Sequence, residues 1–198
     1  LVLPLAGCVS RSPTTQWLRL PLVAGHAVDG VPTTAPSARV PTQLLPVTLP
    51  DYLDRDPVWV GSGATVQPLG AWRWAEALRD SVPRLLQQDL AQQLGEDAIW
   101  TRPPPPSLRA ARSLRVELLA FEALRDGPAA GQVVLQARWT VLPPAASAQS
   151  VAPVVRAMRF SAPWAAGSTG SADGAEALAV AHRQVLQQLA ARIADDLR

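Results

Sequence analysis

The chain has 198 residues, about half of them apolar (48%), and a formal net charge of only +2. That suits one domain with a real core, and arginines scattered without a dense cluster (Arg73, Arg79, Arg84, Arg109, Arg112, Arg115, Arg138, Arg156, Arg159) argue against a nucleic-acid partner. No run of 18 apolar residues occurs, so no segment reads as a bilayer-spanning helix.

The chain opens Leu1-Val2-Leu3-Pro4-Leu5-Ala6-Gly7-Cys8, and Cys8 is its single cysteine. Leu5-Ala6-Gly7-Cys8 has the form of a bacterial lipobox. A signal peptidase must fit extended chain with small side chains before the cut. A thiol is the one side chain here that a diacylglyceryl donor alkylates readily, and the new amino group of Cys8 can then take a palmitate-type acyl chain. Residues 1–7 therefore read as the end of a lipoprotein signal peptide, 8–16 as a lipidated N-terminus and polar tether, and 17–198 as a single domain.

Within that domain, Trp17 to Leu22 reads as a first strand and residues 24–38, with His26, as a Gly/Pro-rich loop. Arg39 to Pro50 reads as a strand with Leu45, Val47 and Leu49 on one face. Pro50 to Pro57 then makes a turn containing Asp51, Asp54 and Asp56. Val58 to Val66 reads as a strand whose glycines suggest a bulge or an edge. A helix is expected to open at Trp72, with Trp74, Leu78, Val82, Leu86, Leu90 and Leu94 recurring every four residues. Gly95 would stop it, and Pro83 inside it predicts a kink or two helices meeting. Ala98 to Thr101 is a short strand, followed by the stiff run Pro103-Pro104-Pro105-Pro106.

Leu114, Val116, Leu118 and Ala120 alternate along the next strand. A hairpin turn falls at residues 126–131, and Val133, Leu135, Ala137, Trp139 and Val141 line the clearest amphipathic strand. Val154 to Trp164 reads as the last strand. Asp173, with Glu176 three residues on, is expected to cap a closing helix. Its stripe is Leu178, His182, Val185, Leu186, Leu189, Ile193 and Leu197. The sum is an α+β domain in which two main helices cover one face of a largely antiparallel or mixed sheet.

Little in this pattern points to catalysis. No serine sits in a nucleophile elbow, no Cys/His set has metal spacing, and no Gly-rich loop precedes a helix. His182 reads as an uncharged packed ring. Asp51, Asp54 and Asp56 read as solvated turn residues, with a bound cation as the alternative. Asp195 and Asp196 read as a solvated helix end that opposes the helix dipole. No enzyme and no cofactor are expected. Six tryptophans (Trp59, Trp72, Trp74, Trp100, Trp139, Trp164) would serve the core or a partner-binding patch, and Trp17 lies near the tether.

Two segments combine with the lipobox and the closing helix. These are Leu49-Pro50-Asp51-Tyr52-Leu53-Asp54-Arg55 and, some twenty residues on, Trp74-Ala75-Glu76-Ala77-Leu78. Together they resemble the ABC-type transport auxiliary lipoproteins, the PqiC/YmbA-like proteins, over nearly the whole chain. One departure is Trp17, where members of the family tend to carry Tyr.

The resemblance implies a periplasm-facing lipoprotein that works with an MCE-domain protein and its inner-membrane transporter subunits, in a system that moves lipids between membranes and supports envelope integrity. It implies no catalytic residues and places ATP hydrolysis on a separate subunit. It makes Pro50, Tyr52, Leu53, Arg55, Trp74, Glu76 and Leu78 the candidate interaction residues and admits a homo-oligomer. Val9, in place of an Asp retention signal, favours the outer membrane. The alternative is a structural envelope lipoprotein of a secretion or cell-wall assembly.

Overall fold

A computed structural model describes residues 14–22, 40–102, 112–127, 130–144, 152–165 and 171–198. Cys8, His26 and Pro103 to Pro106 lie outside them. In chain order the elements are β1 (Gln16–Leu18), β2 (Thr42–Leu44), a 3-10 turn (Asp51–Leu53), β3 (Pro57–Ser62), β4 (Thr65–Trp74), α1 (Leu78–Leu94), β5 (Ile99–Trp100), β6 (Arg112–Arg125), β7 (Ala130–Leu142), β8 (Val154–Ala165) and α2 (Ala172–Leu197). The eight strands form one mixed sheet, and the fold is α+β as the periodicities predict.

β6 is the axis of the sheet. It pairs antiparallel with β7 along nearly its whole length, and β7 pairs antiparallel with β8. On its other side β6 takes two parallel neighbours, β2 near Leu114 and β3 near Ala123. β4 pairs antiparallel with β3 and parallel with β1. Leu114, Val116 and Leu118 are buried, as the alternation predicts, but the pattern then shifts to Phe121 and Ala123. The cause is a bulge. Leu118 faces Ala137 and Ala120 faces Gln136, so Leu119 is an extra residue, and it stands 44% exposed.

Several sequence expectations change. The strand expected over Arg39 to Pro50 is only three residues long, since Pro41 and Pro46 bracket it and Pro46 has no N–H to give a ladder. Leu45, Val47 and Leu49 are half-buried, and the segment still runs along β6, with Thr48 N–H donating to the Val116 carbonyl at 3.2 Å. Val58 to Val66 spans the end of β3, a hairpin turn with Gly63 at φ 58° and the start of β4, with Gly61 inside β3. Trp72 and Trp74 belong to β4, where the ladder with β1 pairs them with Gln16 and Leu18. α1 begins only at Leu78 and runs through Pro83 as one helix, ending at Gly95 with φ 103°.

α2 is capped by Ser171, not Asp173: the Ser171 hydroxyl accepts from Gly174 N–H at 3.2 Å. Its predicted stripe is buried throughout. Asp196 is not a solvated end. It accepts from Trp139 Nε1–H at 2.9 Å and meets Arg156 at 3.8 Å and Arg192 at 3.6 Å, because the helix end lies over β7 and β8. Asp195, by contrast, is exposed and pairs with Arg198 at 2.5 Å.

The two helices are locked by a buried fork. The Arg183 guanidinium makes two bonds to the Asp89 carboxylate, one of them at 2.5 Å, and its Nε–H donates to the Pro21 carbonyl at 3.2 Å. Both side chains are almost wholly buried, so each is the other's replacement for water. Of the tryptophans, Trp74, Trp139 and Trp164 are buried, Trp59, Trp72 and Trp100 are half-buried, and Trp17 is 63% exposed. Among the described residues no helix is long and apolar enough to cross a membrane.

Candidate functional site

Pro50 fixes an extended approach (φ −61°, ψ 141°) to the 3-10 turn, and its carbonyl accepts from Leu53 N–H at 3.0 Å. That turn drops Leu53 into the core and holds Tyr52 at the surface. The Tyr52 hydroxyl reaches across to β6 and donates to Glu122 Oε1 at 2.7 Å. Partial burial, then the Glu122 carboxylate, push the Tyr52 phenol upward from its usual pKa. On the other flank Asp54 accepts from Arg79 at 2.5 Å. These two contacts tie the turn to β6 and to α1.

Beneath the turn lies an aromatic cluster. Trp74, at the end of β4, is positioned by its N–H, which donates to the Asp56 carbonyl at 2.8 Å. His182 of α2 meets Trp74 edge-on with ring centroids 5.4 Å apart, and Phe121 of β6 likewise at 4.8 Å. His182 Nδ1 lies 2.9 Å from the Leu178 carbonyl and donates to it. Burial lowers the His182 pKa to about 4, opposed in part by that bond, so the ring is neutral at pH 7. The sequence reading of an uncharged packed histidine agrees with this.

The turn, the β3–β4 hairpin, β6 and His182 enclose a cavity of about 300 Å³. Five of the seven candidate residues line it: Tyr52, Leu53, Arg55, Trp74 and Leu78. The structure thus gathers two segments some twenty residues apart onto one wall. Pro50 and Glu76 are not in the lining. Pro50 caps the turn, and Glu76 pairs with Arg84 at 2.6 Å on the surface of α1. Arg55 is exposed and makes no ion pair or hydrogen bond with the described residues.

The sequence reading missed Trp59, Gly61, Val66, Phe121 and Glu122 as wall residues. Strict alternation through Ala120 hid Phe121, since the bulge is invisible to a period-two pattern. Trp59 carried a signal, as a large aromatic on a strand, but nothing in the sequence set it against the Tyr52 turn. Among the described residues no Ser, Thr, Cys or Lys lines the cavity. Among the described residues no cluster of metal-ligating side chains occurs, and Asp54 is held by Arg79.

Fold and cavity together define a mixed-sheet α+β domain with a ligand-sized apolar chamber behind a surface turn. The chain belongs to the family described as the ABC-type transport auxiliary lipoprotein component, which its sequence matches over residues 27–194. That is a transport-auxiliary family and not an enzyme family. Two solved structures share the fold. One, described as an uncharacterized protein, is 19% identical with a TM-score of 0.65, covering 94% of this chain and 100% of its own. The other, a protein from Xanthomonas campestris, is 16% identical with a TM-score of 0.60, covering 79% of this chain and 82% of its own. No curated protein matches the sequence.

Proposed function

We propose that this chain is the lipid-anchored, periplasm-facing subunit of an MCE/ABC-type intermembrane lipid transport system, where it docks the MCE component at the outer membrane and supports envelope integrity. The observation that carries the reading is the family match over residues 27–194, joined to the lipobox that ends at Cys8. The lipid on Cys8 holds the domain at the membrane, and the folded domain holds the partner. ATP hydrolysis then falls to another subunit.

The surface turn over residues 51–56 is the natural contact. Tyr52 and Arg55 are exposed there, whereas Leu53, Trp74 and Leu78 are buried and serve as its foundation. Crosslinking in intact envelopes followed by pull-down of a tagged chain is expected to recover an MCE-domain protein. The recovery should fall at least fivefold for Tyr52→Ala/Arg55→Ala with the protein level unchanged. Repeated recovery of secretion or cell-wall components in place of an MCE protein would sink the reading.

A further inference from the structure

Three features of the cavity bear on what it can hold. First, Trp59 lines it with a half-buried aromatic side chain. Second, among the described residues the lining holds two charged ones, Arg55 and Glu122. Glu122 is engaged by the Tyr52 hydroxyl, which leaves Arg55 as the charge without a partner among the described residues. Third, apart from Tyr52 and the neutral His182, the described wall is otherwise largely apolar, with Leu53, Pro57, Val66, Trp74, Leu78 and Phe121.

β3 pairs with β4 and, at Val60 and Gly61, with β6, whereas β4 pairs with β1 only at Trp72–Trp74. The volume, about 300 Å³, sits at the small end of ligand sites. It suits one tail rather than two. Val66, 67% exposed, belongs to the lining and marks the open side.

We infer that this cavity binds a single-chain anionic amphiphile, with its apolar tail among Leu53, Trp74, Leu78 and Phe121 and its acidic head at Arg55. The identity of any protein partner does not enter this assignment.

The test is calorimetric titration of the 198-residue chain, carrying Cys8→Ser so that no detergent is needed, with decanoate below its micelle concentration. Decanoate is expected to saturate at one per chain. Val66→Trp, which fills the open side from an exposed strand position, is expected to weaken it at least tenfold. Arg55→Ala, at an exposed residue with no partner among the described residues, is expected to weaken it several-fold and to erase the preference over decyltrimethylammonium. Failure of decanoate to saturate overturns the proposal and leaves a partner's side chain as the occupant. So does equal binding by the Val66→Trp variant. Equal affinity for decyltrimethylammonium in the unsubstituted cavity overturns the anionic head, and equal affinity for dihexanoyl-phosphatidylglycerol overturns the single chain.

Discussion

Burial keeps the His182 ring uncharged, and that makes it a site of acid sensitivity. Its pKa falls from 6.5 in the unfolded chain to about 4 in the fold. Between those values the unfolded state binds a proton that the native state does not, so stability is lost as pH falls through this window and is unaffected above it. The shift corresponds to about 3 kcal/mol at most. His182→Gln removes the titrating ring while keeping a side-chain donor for the Leu178 carbonyl. The variant is expected to be less stable at pH 7, because the contacts with Trp74 and Phe121 go. Its stability should nevertheless fall less steeply from pH 6.5 to 4 than that of the parent. Urea midpoints at several pH values measure both slopes, with the carboxylates common to the two chains cancelling. Parallel slopes would show that His182 is not the group responsible. Arg183 and Asp89 make the complementary point: their two-pronged contact is buried, and removing either alone strands the other's charge at a cost of roughly 3–5 kcal/mol.

At the scale of elements, one exposed residue sets the phase of the longest strand. Leu119 is 44% exposed and its side chain contributes little to the core. Its backbone, however, is the extra step that turns Phe121 and Ala123 inward after Leu114, Val116 and Leu118. Deleting one residue from a strand exchanges every side chain beyond it between faces. At the bulge itself the count works the other way: deletion of Leu119 makes Leu118 and Ala120 consecutive opposite Ala137 and Gln136, so a regular ladder keeps Phe121 and Ala123 inward. Deletion of Leu119 and Leu119→Ser are each expected to cost about 1 kcal/mol or less. Deletion of Glu122 has no bulge to absorb it, turns Ala123 outward and removes the acceptor of the Tyr52 hydroxyl, and is expected to cost about 2–3 kcal/mol. Thermal melts decide it, and a Glu122 deletion that melts no lower than the Leu119 deletion would refute the role given to the bulge. The same case marks the limit of reading a sequence by period. β7 and the stripe of α2 were legible because a single uninterrupted period covers each. The helix expected at Trp72 was not, because Trp74 fits a helical stripe and a strand equally well, and only pairing with β1 decides between them. The cavity was half legible: its Tyr52 and Trp74 walls stand out as segments, while the β3 and β6 walls are brought to them by parallel pairing across some sixty residues.

For the whole molecule, position follows from the N-terminus. From Cys8 to Gln16 there are eight chain steps, which span at most ~28 Å when fully extended. A lipid on Cys8 would thus hold the start of β1, at Gln16, within about that distance of the bilayer. One acyl chain gives only marginal, reversible binding, whereas two or more give stable attachment. The diacylglyceryl group supplies two and the N-acyl chain a third, so the anchor does not need the protein's surface. Cys8→Ser is then expected to move the chain wholly from the membrane fraction to the soluble periplasm without altering its melting temperature. The wild-type chain should stay with the membrane through a high-salt wash, which weakens ionic attachment but not acyl chains. A Cys8→Ser chain that remains membrane-bound in cells lacking the proposed partner would place the attachment in the folded domain and remove the lipobox from the account.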